Sequence, residues 1–203
     1  MGNELPPHLR GLPKIRDWEL LTEAYSDAEL IEFHRRANEL LRNNGLAEHP
    51  TAPSYLLLGN YDNGSDTRDG PRDRLETARK ILDLNQATNF AILLDDLDPE
   101  NDRWDNWYLK FQFTPLSTDY NVLIAEDNDG GHELELGEIP LEETYVAKRE
   151  YTHASLDKDI EYEKFDGMMA TLFDFLARAG RLYRWQDETE LTDAVVQICI
   201  ETT

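Results

Sequence analysis

Cysteine is nearly absent from the sequence, which has a single one, Cys199, in 203 residues. One thiol excludes an intramolecular disulfide framework and a zinc site built from several cysteines. Cys199 stands in an apolar run with Val195, Val196, Ile198 and Ile200. We therefore expect it to be a small buried core residue. We expect neither a bound metal nor another cofactor.

Long hydrophobic runs are also missing. No apolar stretch approaches the roughly 20 residues that a membrane-spanning helix needs, and residues 1–11 contain no hydrophobic signal core. We therefore expect a cytoplasmic protein without a membrane partner.

Positive charge is scarce. Lysine and arginine together number 20 against 42 aspartates and glutamates, giving a net charge of −22, and only six residues are lysine. No basic stripe is present to hold a phosphate backbone, so we expect no nucleic-acid partner.

The acidic residues are distributed along the whole chain and do not form one block or tail. In dilute salt so much like charge destabilises a compact state by self-repulsion. At molar salt the Debye length falls to about 3 Å and the repulsion is screened. The composition therefore predicts a protein of a halophilic cytoplasm. The alternative is an acidic interaction protein from an ordinary cell, in which the charge is more often concentrated in a block.

Helical and strand patterns alternate along the chain. Ser26 and Glu29 form a capping box that predicts the start of a first helix. Four apolar runs that predict buried strands follow, with helical patterns between and after them: residues 55–58, 90–94, 120–125 and 145–148. This order predicts an α/β fold with a parallel sheet covered on both faces. We expect one domain, in which residues 1–50 form an arm and a helix packed on an α/β core of residues 51–203.

Ligands of such sheets bind at the carboxyl ends of the strands, where the strand order reverses. The sequence therefore predicts that residues 59–64, 95–98 and 126–135 lie on one rim. The run Asp95-Asp96-Leu97-Asp98 superficially resembles a metal loop, but it lacks the downstream Gly and Glu of a calcium-binding hand.

The most informative segment is residues 117–137. Asp119 precedes the third strand, and a Gly-containing acidic turn follows that strand. The turn leads into the pattern Asp-x-Gly-x-x-x-Glu-x-Gly, formed by Asp129, Gly131, Glu135 and Gly137. Together with the strand and Gly-containing loop at residues 55–61, this segment resembles the nucleoside 2-deoxyribosyltransferase superfamily, over residues 53–150, and most of all a haloarchaeal branch of it.

The resemblance implies a flavodoxin-like open parallel sheet with extra N-terminal and C-terminal helices. It also implies an enzyme of N-glycosidic bonds, a hydrolase or deoxyribosyltransferase acting on nucleosides or nucleotides. Glu135 would be the nucleophile, and Asp129 or Asp119 would hold the sugar or protonate the base. A homodimer is implied as well, because members often complete their sites with a neighbouring subunit. The implied substrate contacts are Gly59, Asn60, Tyr61, Gly130, Gly131 and His132.

Each of these residues also has a structural interpretation. Glu135 suits the first turn of a helix, where the helix dipole favours an acid. Asp129-Gly130 is an ordinary turn signal, and Asp119 suits the edge of a strand. The sequence therefore leaves open a non-catalytic nucleotide-binding protein, or a structural protein, with the same fold.

Overall fold

The computed structural model describes residues 18–45, 53–61, 70–84, 90–98, 100, 106–126, 136–137, 139–151, 165 and 167–203. Five strands form one parallel sheet: β1 (Ser54–Gly59), β2 (Phe90–Leu93), β3 (Tyr120–Ala125), β4 (Thr144–Arg149) and β5 (Leu182–Trp185). Six α-helices accompany them: α1 (Trp18–Ala24), α2 (Asp27–Asn43), α3 (Pro71–Leu84), α4 (Trp107–Phe113), α5 (Gly167–Arg178) and α6 (Glu188–Thr202). The prediction of an open, flavodoxin-like parallel sheet is confirmed.

The capping box predicted from the sequence starts α2. The Ser26 side chain accepts a hydrogen bond from the backbone N–H of Glu29, and the Glu29 carboxylate accepts one from the backbone N–H of Ser26 at 2.8 Å. These two bonds satisfy N–H groups that the first helical turn leaves without intrahelical partners. Leu30, Leu40 and Leu41 then bury one face of the helix.

Alternate side chains of the sheet pack into two separate cores, because successive residues of a strand point to opposite faces. One face of β1 and β3, with Leu56 and Leu123, packs against helices α1, α2, α4 and α5. The other face, with Leu57 and Val122, packs against α3 and α6, and Cys199 is buried there as expected. The sheet is therefore covered by helices on both faces.

A row of tyrosines crosses the second face near the amino ends of the strands. Ring centroids of neighbours along the row Tyr55, Tyr120, Tyr145 and Tyr183 lie 5.8, 6.0 and 6.5 Å apart. The Tyr55 hydroxyl is 2.7 Å from the hydroxyl of Thr202 in α6. The row therefore connects four strands and ties the last turn of the C-terminal helix to the sheet.

Candidate functional site

The strand order β2-β1-β3-β4-β5 reverses at the first strand, because β2 lies on one side of β1 and β3 on the other. Such a reversal opens a crevice at the carboxyl ends of the two central strands, where ligands of doubly wound folds bind. Gly59, Asn60 and Tyr61 lie at the carboxyl end of β1, and Glu126 directly follows β3. We call this place the switch point.

Gly59 is required by the packing at the switch point. Its φ is +153°, which L-residues rarely adopt, and it pairs with Ile124 of β3. A Cβ atom at this position would lie 3.0 Å from the carbonyl oxygen of Ile124 and 3.0 Å from a methyl carbon of Leu75. The absence of a side chain thus lets the end of β1, β3 and α3 approach one another closely.

Tyr61 fixes the first residues beyond β1. Its hydroxyl donates a hydrogen bond of 2.9 Å to the carbonyl oxygen of Leu57, inside the strand. The guanidinium carbon of Arg72 lies 6.0 Å from the centre of the Tyr61 ring. Asn60 is only partly exposed. The chain therefore leaves β1 in a defined direction along the edge of the crevice.

A buried ion pair occupies the end of β3. Arg74 donates from Nε to Oε1 of Glu126 at 2.6 Å and from Nη2 to Oε2 at 2.5 Å. The side chains are 10% and 5% exposed, respectively. Arg149 reaches Oε2 of the same carboxylate at 3.3 Å, and the Tyr151 hydroxyl donates to the Glu126 carbonyl oxygen. This geometry is typical of a bidentate, charge-assisted pair that fixes both groups.

A second ionic group lies beyond β2. Arg72 contacts both Asp95 and Asp96, and Arg79 donates to Asp96 at 2.7 Å. Burial raises the pKa of the Asp95 carboxyl, and the attraction of the Arg72 guanidinium partly opposes that rise. Asp98 instead forms a buried ion pair of 3.1 Å with Lys110. The three carboxylates of this run are thus held by cations of the chain.

Among the residues that the structure describes, no cluster of three or more His, Cys, Asp and Glu side chains could hold a metal ion.

Asp119 lies at the opposite edge of the sheet from the switch point. It precedes β3, and its Oδ2 accepts hydrogen bonds of 2.8 Å from both the backbone N–H and the hydroxyl of Ser54. Five residues of strand at about 3.3 Å each separate the levels of Asp119 and Ile124, which pairs with Gly59. The structure therefore does not bring Asp119 together with the predicted substrate contacts, and it gives this carboxylate the strand-edge role.

The other predicted site residues, Asp129, Gly130, Gly131, His132 and Glu135, lie outside the described residues. The structure does describe both flanks of the segment that carries them. Glu126 fixes the chain at the switch point, and Leu136, directly after Glu135, is 1% exposed in the core shared with α2 and α5. The predicted nucleophile thus neighbours a core residue.

The Arg74–Glu126 pair was absent from the sequence-based list of site residues. Glu126 fell inside the predicted rim, but its partner is 52 residues earlier in the chain. The available signal was a charged residue placed directly after a fully apolar strand, at the edge where ligands bind.

Comparison with known proteins yields one family. A model described as a family of unknown function, DUF8170, matches residues 19–173, and the chain belongs to this family. No curated protein matches the chain, and no solved structure does. In the described part of the chain, no helix has the length and apolar character needed to cross a membrane.

Proposed function

We propose that this protein binds a nucleoside or nucleotide at the switch point and cleaves or transfers its N-glycosidic bond, with Glu135 as the nucleophile. One observation carries the proposal. Two segments that resemble the deoxyribosyltransferase pattern are far apart in sequence, yet Gly59–Tyr61 and the residue that leads into the second segment, Glu126, adjoin the same crevice. This crevice is where doubly wound folds bind nucleotides.

The proposed reaction uses two carboxyl groups. A carboxylate oxygen of Glu135 attacks the anomeric carbon as the carbon–nitrogen bond breaks, and the base leaves with a proton from Asp129. Water, or the nitrogen of a second base, then attacks the glycosyl ester and releases Glu135. The oxocarbenium-like transition state carries positive charge, which the carboxylate of Glu135 stabilises.

The position of Asp119 decides between the two candidates for the second acid. Asp119 lies at the amino edge of the sheet, where the backbone and hydroxyl of Ser54 hold it. Asp129 follows the carboxyl end of β3 by four residues. We therefore assign the proton donor to Asp129.

A second candidate function, nucleotide binding without turnover, is favoured by a different observation. Glu126, Asp95 and Asp96, the described carboxylates that follow β3 and β2, are all engaged by arginines. A paired carboxylate is a weak nucleophile and a poor proton donor. On this alternative the edge of the sheet supports a ligand and does no chemistry.

The two functions are separated by measuring release of free base. The protein is incubated in molar KCl with a mixture of deoxynucleosides and their 5′-monophosphates, and the bases are quantified by chromatography. We expect release by the wild type and none by Glu135→Gln, with Glu133→Gln as a control of equal charge. Ligand-dependent stabilisation against heat without base release would instead support the binding function.

We further propose that the protein works in the cytoplasm of a halophilic archaeon. The net charge of −22 and the scarcity of lysine support this setting. Screening of the repulsion should raise the melting temperature as KCl increases from millimolar to molar. A melting temperature that stays constant or falls over this range would contradict the proposal.

A further inference from the structure

Arg149 occupies a rigid position at the carboxyl end of β4. Its guanidinium carbon lies 5.1 Å from the ring centre of Trp185 and 5.3 Å from that of Tyr151. Trp185 is paired with Arg149 across β4 and β5, and its indole N–H donates a 3.0 Å hydrogen bond to Ala147. The guanidinium is therefore supported by strands and aromatic rings, which define its plane.

The charge around Arg149 is not balanced. Both oxygens of Glu126 accept short hydrogen bonds from Arg74, at 2.6 and 2.5 Å. Arg149 contacts one of these oxygens at 3.3 Å through a single nitrogen, Nη1. Two positive groups thus face one negative group, so this cluster has a charge of +1 in a chain of −22.

A neighbouring arginine shows the usual arrangement on this protein. Arg184, on β5, forms a 2.5 Å ion pair with Glu150, one cation to one anion, and its side chain is 45% exposed. Arg149 is 31% exposed, so solvent reaches part of its guanidinium although two rings cover it. An arginine has five N–H donors, and their planar fork fits two oxygens of one anion.

We propose that Arg149 binds an oxyanion of a ligand, a phosphate or a carboxylate group, at the carboxyl ends of β4 and β5. The anion would accept N–H groups of Arg149 and balance the charge that Arg74 and Glu126 leave over. This inference does not depend on N-glycosidic chemistry, because an anion can bind at Arg149 in a protein that breaks no bond.

The test is a titration of the whole protein with inorganic phosphate and, separately, with acetate, by calorimetry in molar KCl. Ionic strength is kept constant with KCl, and 2′-deoxyribose 5-phosphate is a third probe. We expect saturable binding of phosphate or of acetate to the wild type. Binding of phosphate and the sugar phosphate identifies a phosphate site, and binding of acetate alone identifies a carboxylate site.

The variants locate the bound anion. Arg149→Gln should weaken the affinity about 10- to 100-fold, the usual effect of losing hydrogen bonds to a charged group. Arg149→Lys keeps the charge but not the fork and should fall in between. Arg184→Gln, which removes the same charge one strand away, should bind as the wild type does.

Two results would overturn the proposal. One is the absence of saturable binding of every probe to the wild type at tens of millimolar. The other is equal affinity of the wild type and of Arg149→Gln, with circular dichroism showing that the variant is folded; if that variant is unfolded, equal affinity of Arg149→Lys and the wild type decides in the same way. Base release in the earlier assay with no anion binding here would leave the catalytic proposal standing and remove this one.

Discussion

Removing the Glu126 carboxylate should destabilise the protein more than removing its principal partner, Arg74. Breaking a buried ion pair by deleting one partner costs about 3–5 kcal/mol, because the remaining charge is buried without compensation. Glu126→Leu leaves two guanidiniums, of Arg74 and Arg149, without their shared anion. Arg74→Met leaves Glu126 with Arg149, which already lies 3.3 Å away. We therefore expect losses of about 5 and about 3 kcal/mol, respectively.

The double variant Arg74→Met/Glu126→Leu should recover part of the loss, because apolar groups of similar volume replace the pair. We expect a coupling energy of about 2–3 kcal/mol from the cycle. The measurement is urea unfolding followed by circular dichroism, first at low salt and then in molar KCl. Since buried charges are screened far less than exposed ones, the coupling should persist at high salt.

The exposed pair Arg184–Glu150, with side chains 45% and 35% exposed, is the matched control. Its coupling should be about 0–1 kcal/mol and should vanish in molar salt. Equal losses for Arg74→Met and Glu126→Leu would refute the argument that one carboxylate serves two guanidiniums. A coupling at Glu126 no larger than that of the control would refute its burial.

Three further predictions follow from single positions. Gly59→Ala should lower the free energy of unfolding by about 1–3 kcal/mol, because its Cβ meets atoms at 3.0 Å; Gly180→Ala, at φ +70° with open space around it, should cost less, and equal losses in urea unfolding would contradict the packing argument. Asp119→Ala should cost about 1–3 kcal/mol, because two donors lose their acceptor, but base release per folded molecule should stay at the wild-type level; its loss would return this residue to the site. Burial raises the pKa of Tyr55 to about 12, and because the folded state keeps this proton longer than the unfolded state, stability should fall between pH 10 and 12 by about 2–3 kcal/mol. Tyr55→Phe should remove that part of the fall in alkaline urea titrations and Tyr108→Phe should not, so identical pH profiles of the wild type and Tyr55→Phe would exclude this origin.

The elements with strong local signals were predictable from the sequence. The apolar runs of β1 and β3 gave buried strands because both faces of a parallel sheet are covered, and the Ser26 capping box gave the start of α2 because it is a contact within one turn. Strand β5 was not predicted. Only Trp185 of its four residues is buried, so it lacks the apolar pattern of an inner strand.

The site was less predictable, because it depends on which end of a strand a residue occupies and on distant partners. Asp119 was predicted from its place before a strand, yet in a parallel sheet the residue before one strand and the residue after another lie at opposite edges. The Arg74–Glu126 pair joins residues that no local pattern connects. The described residues leave the assignments of Asp129 and Glu135 as predictions.

The lengths of the strands bear on how the protein avoids associating with itself. The outer strands β2 and β5 have four residues each, and the three strands between them have six. An outer strand exposes backbone groups that can pair with a strand of another molecule, and short outer strands offer few of them. Mutual repulsion keeps acidic molecules apart in dilute salt, but concentrated salt removes that protection. In a salt-filled cell, brevity of the sheet margins protects against fibrous aggregation where charge no longer can.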